Sequence, residues 1–486
     1  MKKIFFRIVC LLVCFLMCFG VLASCGDKEQ ENTGDVTEPV EGELTAFSTV
    51  RREDYQGYEF GIMYFKGYDG LEADFEAEAL NGEVLNDRVF RKNQMVKETY
   101  NIELKLDTMV NAELYQFIRN NSMTGDSPYD VYGISRSGMP LCTEGYFLDV
   151  NSLDDIDTTK EWWDQKWVSE MSIHGSLFSL VGDFSIGTLQ SVSCLCFNKD
   201  LFTNNGLEYP YELVEKGEWT YEKMLSYVKG ATRDLDDDSK YTVEDFYGIT
   251  GWGTEAGYTL FYGSGFSFAN IDNSGALEIS YDQERLTNIY EQVHKLWIVE
   301  NNYRNETGDV AQHSYPWDIF KDGRSLFVDT TLLKIGMFLS DMESGYGVIP
   351  APKFDADQED YSSYASYSIP MTCIPVNVAD RQRTGNIVEA FCTASYDVVT
   401  PDIFEIVTKL QNVTDPESAE MIDIIIRTKM FDAVHWYVIS GYHDFSRQML
   451  RSSSTNITSY LKGYTRNAPK EVENINKLYL EAKNNR

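Results

Sequence analysis

Asp234, Asp236 and Asp238 stand at alternate positions, and Thr242 and Asp245 occupy the ninth and twelfth places counted from Asp234. That is the spacing at which a twelve-residue loop offers oxygens to calcium. Ser239 stands where such a turn takes glycine, and Asp245 where a bidentate Glu would close the coordination sphere. The run therefore reads either as a site for a structural calcium ion or as a solvated acidic loop. Elsewhere catalytic spacing is scarce. His174, His294, His313, His435 and His443 show no HExxH spacing and no triad context. Ser226 to Lys229 matches a bare SxxK without the companion segments of a serine acyl-enzyme, and neither a phosphate loop nor a dinucleotide glycine fingerprint is present. Carboxylate pairs are too common in so acidic a chain to mark an acid–base couple. Cys142, Cys194, Cys196, Cys373 and Cys392 have no zinc spacing; Cys194 and Cys196, two apart in an apparent strand, share a face and read as buried apolar thiols.

The 486 residues carry 42 Lys and Arg against 76 Asp and Glu, a formal charge of −34, which excludes a reader of nucleic-acid phosphates. With 43% apolar and 14% aromatic residues there is material for a packed core, and the length argues for at least two domains. The start is of another kind. Lys2, Lys3 and Arg7 precede an uncharged run from Ile8 to Leu22, then Leu22-Ala23-Ser24-Cys25. The run is short for a spanning helix and has the order of a signal peptide. Residues Gly26 to about Thr49, rich in Glu, Asp, Thr and Gly, have the composition of a solvated tether.

These residues need elements to position them. Tyr58 to Phe65 predicts a strand, Gly82 to Tyr100 a helix, Ile102 to Leu106 a strand, Leu114 to Asn121 a helix and Tyr129 to Gly133 a strand. After residue 200 the alternation returns with Tyr221 to Lys229 (helix), Phe246 to Thr250 (strand) and Gln283 to Val299 (helix). This is the α/β pattern, with no repeat of fixed period.

Leu22 to Cys25 resembles the lipobox of bacterial lipoproteins, which implies that Cys25 is lipidated and becomes the mature N-terminus after residues 1–24 leave. Further along, LCFNKDLF (Leu195 to Phe202), Gly206-Leu207, Pro210 and Trp219-Thr220-Tyr221-Glu222 follow in order. MTGDSPYDVYG (Met123 to Gly133), FYGITG (Phe246 to Gly251), FKDGRSLFVD (Phe320 to Asp329) and YGVIPAP (Tyr346 to Pro352) join them. Together these segments resemble the extracellular solute-binding proteins of ABC transporters, the maltose-binding-protein-like family 1. The resemblance implies a two-lobed, periplasmic-binding-protein-like α/β fold with discontinuous lobes and an interlobe ligand cleft. Lobe 1 would take residues 52–187 and 372–415, lobe 2 residues 188–371 and 416–486, behind a tether at 25–51.

The function so implied is capture of a sugar or oligosaccharide and delivery to an ABC permease, without catalysis and without a required cofactor, by a monomer anchored through Cys25 on the extracytoplasmic face of the cell membrane. The alternatives are a surface lipoprotein enzyme acting on polysaccharide, or the same receptor with a peptide or other polar solute as cargo. A sugar site needs flat aromatic platforms and paired polar groups. By position in the resemblance the platforms are Trp252, Trp317 and Trp436, whereas Trp162, Trp163 and Trp167 look like packing. Lys66, Ser135, Arg136, Asp329 and Thr330 follow or end strands, and strand carboxyl ends face the crevice in open α/β sheets. Leu333 stands near the place of a further platform Trp in the maltodextrin pattern, which argues against a maltodextrin though not against a carbohydrate.

Overall fold

The run Phe60 to Phe65 is buried at six consecutive positions, a pattern that fits only a strand covered on both faces by helices. In the computed structural model it forms one of the two inner strands of the first of two main sheets. The structure describes residues 45–66, 74–123, 125–253, 255–305, 314–401, 416–451 and 456–485. The leader, Cys25 and most of the tether lie outside the described residues.

In chain order the strands are β1 (Tyr58–Lys66), β2 (Ile102–Val110), β3 (Val131–Ile134), β4 (Ser193–Asn198), β5 (Tyr247–Trp252), β6 (Ala269–Ile271), β7 (Leu277–Ile279), β8 (Tyr303–Asn305), β9 (Ser325–Thr331), β10 (Tyr346–Ile349), β11 (Ser363–Tyr364), β12 (Met371–Cys373) and β13 (Lys429–Met430). The first sheet has the order β12-β3-β1-β2 and the second β10-β4-β9-β5-β8. β1 runs parallel to β2, with Tyr58 opposite Ile102, and parallel to β3, with Ile62 opposite Val131. In the second sheet β9 runs parallel to β5 and antiparallel to β4, with Cys194 opposite Thr330. β6 and β7 form a small antiparallel ladder, and β11 and β13 a short parallel pair.

The predicted elements are present with shifted ends. β2 continues to Val110, four residues beyond the apolar run, because it is a half-exposed edge strand whose outer residues need not be apolar. The helix expected over 283–299 is α-helical over Gln283–His294 and then widens into a π turn, Lys295–Val299. Its start is set by Asp282, whose carboxylate accepts from the Glu284 and Arg285 amides. The helix Arg381–Val398 is buried at every position from Thr384 to Ser395 and packs on Val84–Tyr100. There Glu389, 4% exposed, accepts from the indole Nε1 of both Trp162 (2.8 Å) and Trp163 (3.0 Å). Cys142, Cys194, Cys196, Cys373 and Cys392 are all buried free thiols.

After β3 the chain leaves the first sheet, enters the second at β4 and returns to the first at β12. The two passages touch. Val192 pairs antiparallel with Ala365, and the Ser366 amide donates to the Ser191 carbonyl at 2.8 Å.

Candidate functional site

In the first sheet β1 lies between its two parallel neighbours, one reached directly and the other by return, so the strand order reverses beside it. The crevice at such a reversal opens at the strand carboxyl ends. Lys66 closes β1 there and is exposed, and Ser135 and Arg136 follow β3. Ser135 is fully buried, and its hydroxyl forms a triangle with Tyr115 Oη (2.9 Å) and Ser137 Oγ (3.0 Å). Ser135 is thereby a support for the turn that carries Arg136.

The Arg136 guanidinium lies 5.7 Å from the ring centre of Tyr258 and 5.5 Å from that of Tyr367. Its Nη1 is 2.7 Å from His435 Nε2. A guanidinium only donates, so Nε2 accepts and the ring hydrogen sits on Nδ1. Tyr364 Oη, 3.2 Å away, meets the same Nε2. Burial, then the Arg136 charge, hold the His435 pKa well below its ordinary value, and the same two causes push His443 down to about 4. Both imidazoles are neutral at pH 7.

Tyr258 and Tyr262 stand on the helix Glu255–Gly263, which packs on β5 and β9 of the second sheet. Tyr364 lies on β11 and stacks on Tyr262 at 5.3 Å and 13°. His435 stands edge-on to Tyr258 at 5.1 Å. A cation from the first sheet's carboxyl edge thus meets an aromatic wall built from the helix on the second sheet, β11 and the His435 segment.

The second-sheet candidates separate into two groups. Trp252 ends β5 and is partly exposed. Trp317, Asp329, Thr330 and Trp436 are each at most 2% exposed, as are Tyr258, Tyr262, Tyr364 and His435 of the aromatic wall. Asp329 and Thr330 do not end their strand, because β9 continues to Thr331. Trp317 stacks on Phe338 at 4.4 Å, and its Nε1 donates to Thr330 Oγ1 at 2.9 Å. Thr259 Oγ1 donates to Asp329 Oδ1 at 2.9 Å, while Oδ2 has no partner among the described residues. Burial, opposed by the Thr259 hydrogen bond and reinforced by the nearby Glu255 charge, holds the Asp329 pKa well above the usual carboxylate range. Glu255 is itself paired with Lys334. Trp436 packs edge-on to Trp167 at 5.2 Å and against Phe431 at 5.7 Å. Its segment does reach the aromatic wall, but through the neighbouring His435. Tyr258, Tyr262, Tyr364 and Tyr367 were not among the sequence candidates. The one local signal for two of them is the i, i+4 spacing of Tyr258 and Tyr262 in an otherwise apolar helix, which reads equally as core.

In the acidic loop, carboxylate oxygens of Asp234, Asp236 and Asp245 lie within 4.8 Å of one another. Main-chain amides already occupy several of them: Ser239 N donates to Asp234 Oδ2 (2.7 Å) and Leu235 N to Asp245 Oδ1 (2.8 Å). Ser239 takes the left-handed conformation that favours glycine, φ 65°. A cavity of about 420 Å³ lies elsewhere, between the helix Gln165–Met171 and Asp360–Ser362, Arg427 and β13, and includes none of the candidate residues.

No protein-family model matches this chain, and no curated protein matches it in sequence. Solved structures do. An ABC substrate-binding protein from Listeria monocytogenes in complex with cycloalternan is 15% identical, with a TM-score of 0.54 over 88% of this chain and 99% of that one. A cyclic alpha-maltosyl-1,6-maltose binding protein from Arthrobacter globiformis is 13% identical, with a TM-score of 0.56 over 86% and 100%. An ABC transporter solute binding protein from Thermotoga lettingae bound with alpha-D-tagatose is 15% identical, with a TM-score of 0.51 over 87% and 100%. Identities this low speak to architecture. With two main α/β sheets, paired crossing segments and a cation-aromatic junction where they meet, this chain has the two-lobed fold of the ABC transporters' substrate-binding proteins.

Proposed function

We propose that the protein is a non-enzymatic, lipid-anchored receptor that captures a carbohydrate and hands it to the permease of an ABC importer. The observation that carries this reading is the junction itself. Arg136 from the first sheet and Tyr258, Tyr364 and His435 from the wall opposite supply what a sugar needs, flat rings beside directed hydrogen-bonding groups. Proteins of the same fold are described with cycloalternan and with alpha-D-tagatose bound, which supports a carbohydrate cargo over a peptide. The lobes would divide as 52–187 with 372–415 and 188–371 with 416–486. Lipidation at Cys25 would hold a monomer on the extracytoplasmic face of the cell membrane, with no nucleic-acid partner. No helix among the described residues is long and apolar enough to cross a membrane. No cofactor is required. The convergence of Asp234, Asp236 and Asp245 supports a structural calcium ion as a separate proposal, and equilibrium dialysis without uptake at millimolar calcium would remove it.

A ligand touching both lobes gains its full set of contacts only when they are closed, so binding must favour closure. Thermal-shift screening against sugars and oligosaccharides should find a stabilising ligand, and small-angle scattering should then show a smaller radius of gyration. An unchanged profile at saturating ligand argues for a rigid preformed site, and glycan turnover argues for an enzyme.

A further inference from the structure

The junction has a charge that no carboxylate among the described residues answers. Arg136 is largely enclosed between Tyr258 and Tyr367, and among the described residues its guanidinium meets the neutral His435 ring and aromatic groups. Among the described residues no carboxylate lies within ion-pair distance of it. The acidic groups around the cluster are already engaged. Glu255 pairs with Lys334, and Asp444 with Arg447 at 2.6 Å. The Asp432 carboxylate accepts from the Phe268 amide at 2.7 Å and from the Val434 and His435 amides at the start of their helix. Asp329 accepts from the Thr259 hydroxyl at 2.9 Å.

Setting a guanidinium apart from water without an anion is costly, and sequences tolerate it where a ligand supplies the missing charge. The context sharpens this. A chain with a formal charge of −34 has carboxylates to spare, yet among the described residues places none in ion-pair contact with this arginine. A neutral sugar would be served by the carboxylates and amides that usually receive its hydroxyls. A planar fork of donors is instead matched to a carboxylate or another oxyanion.

We propose that Arg136 is the anion-recognition residue of the interlobe site and that the cargo is a sugar bearing an anionic group, a uronic acid or acidic oligosaccharide being the fitting class. This deepens the receptor reading and rests on it. The anion would bond to the fork edge not engaged by His435, while Tyr258 and Tyr367 cover the apolar faces of the ring.

The test is calorimetry of the purified protein with glucuronate, galacturonate and trigalacturonate, each against its neutral counterpart (glucose, galactose, galactotriose), with glucose 6-phosphate as a second source of anion. Expected is binding of an acidic sugar roughly 10- to 100-fold tighter than its neutral partner, weakening with salt, and lost by a similar factor in Arg136→Gln but less in Arg136→Lys. Binding of glucose 6-phosphate in place of the uronates would support the same anion chemistry and move it from carboxylate to phosphate. The comparison of acidic with neutral sugars is made on the wild type, so it stands even if a variant misfolds. A neutral sugar bound as tightly as its acidic partner overturns the anionic cargo and leaves the receptor reading intact. Binding of none of these, with no other glycan raising the melting temperature, overturns both.

Discussion

Glu389 is the acceptor for two buried indoles, and replacing it by Gln separates the role of its charge from that of its shape. Burial, opposed by the Trp162 and Trp163 hydrogen bonds, pushes its pKa up to about 7 from the ordinary 4.5. An acid with a raised folded-state pKa binds its proton more tightly in the native protein than in the unfolded chain. Its contribution is therefore complete below pH 4.5 and declines as the pH rises toward and past 7. From these two values the wild type should lose about 2–3 kcal/mol between pH 5 and pH 8 on account of this residue alone. Gln does not titrate, so the variant lacks that decline. Its amide NH₂ can face only one of the two indole N–H groups unfavourably, leaving one donor unpaired at a cost of about 1–3 kcal/mol at every pH. Glu389→Gln should thus be clearly destabilising at pH 5 and close to neutral at pH 8. Urea denaturation at both values, with protein and salt held fixed, measures the difference directly. A destabilisation that is the same at both pH values within about 0.5 kcal/mol, the ordinary scatter of additive effects, would refute the claim that the carboxyl is protonated in the native protein at mildly acid pH.

Trp436→Ala should destabilise the fold by about 3–5 kcal/mol, because the ring is buried against Trp167 and Phe431; an unaltered urea midpoint would show that the cluster is not core. Trp252→Ala, at a partly exposed strand end, should leave that midpoint nearly unchanged while weakening sugar binding by about 1–3 kcal/mol, and unchanged affinity in calorimetry would remove Trp252 from the site. In Gly182→Ala the new Cβ would fall 2.5 Å from the Trp162 carbonyl oxygen and 2.7 Å from the Trp163 ring, so a loss of about 1–3 kcal/mol in the same denaturation assay is expected. Cys25→Ser should abolish lipidation, since the thioether needs the thiol, and recovery of the variant in the detergent phase with the lipoproteins would count against the lipobox.

The alternation of apolar runs and amphipathic segments was enough to give the α/β class and most element positions, because hydrophobic periodicity is a local property that each segment carries alone. Even there the ends moved. β2 ran on past its apolar run as an edge strand, and the helix from Gln283 turned π at Lys295. Charge, the missing catalytic spacings and the five thiols were also legible one residue at a time. The site was legible only in part. Ser135 and Arg136 could be chosen because they follow a strand, and topology places strand ends at a crevice. The three tryptophans chosen by position divided differently, with Trp252 at a strand end and Trp317 and Trp436 in the interior. An aromatic ring in sequence looks the same whether it will face a ligand or another ring, since both roles ask for the same apolar surface. The Arg136–His435 contact joins residues 299 positions apart, and the absence of a counter-ion is a fact about every neighbour at once. Local pattern determined the layers; only the folding of both sheets onto a common junction decided which cation is left without an anion among the described residues, because electrostatic compensation is set by distance in space and not by distance along the chain.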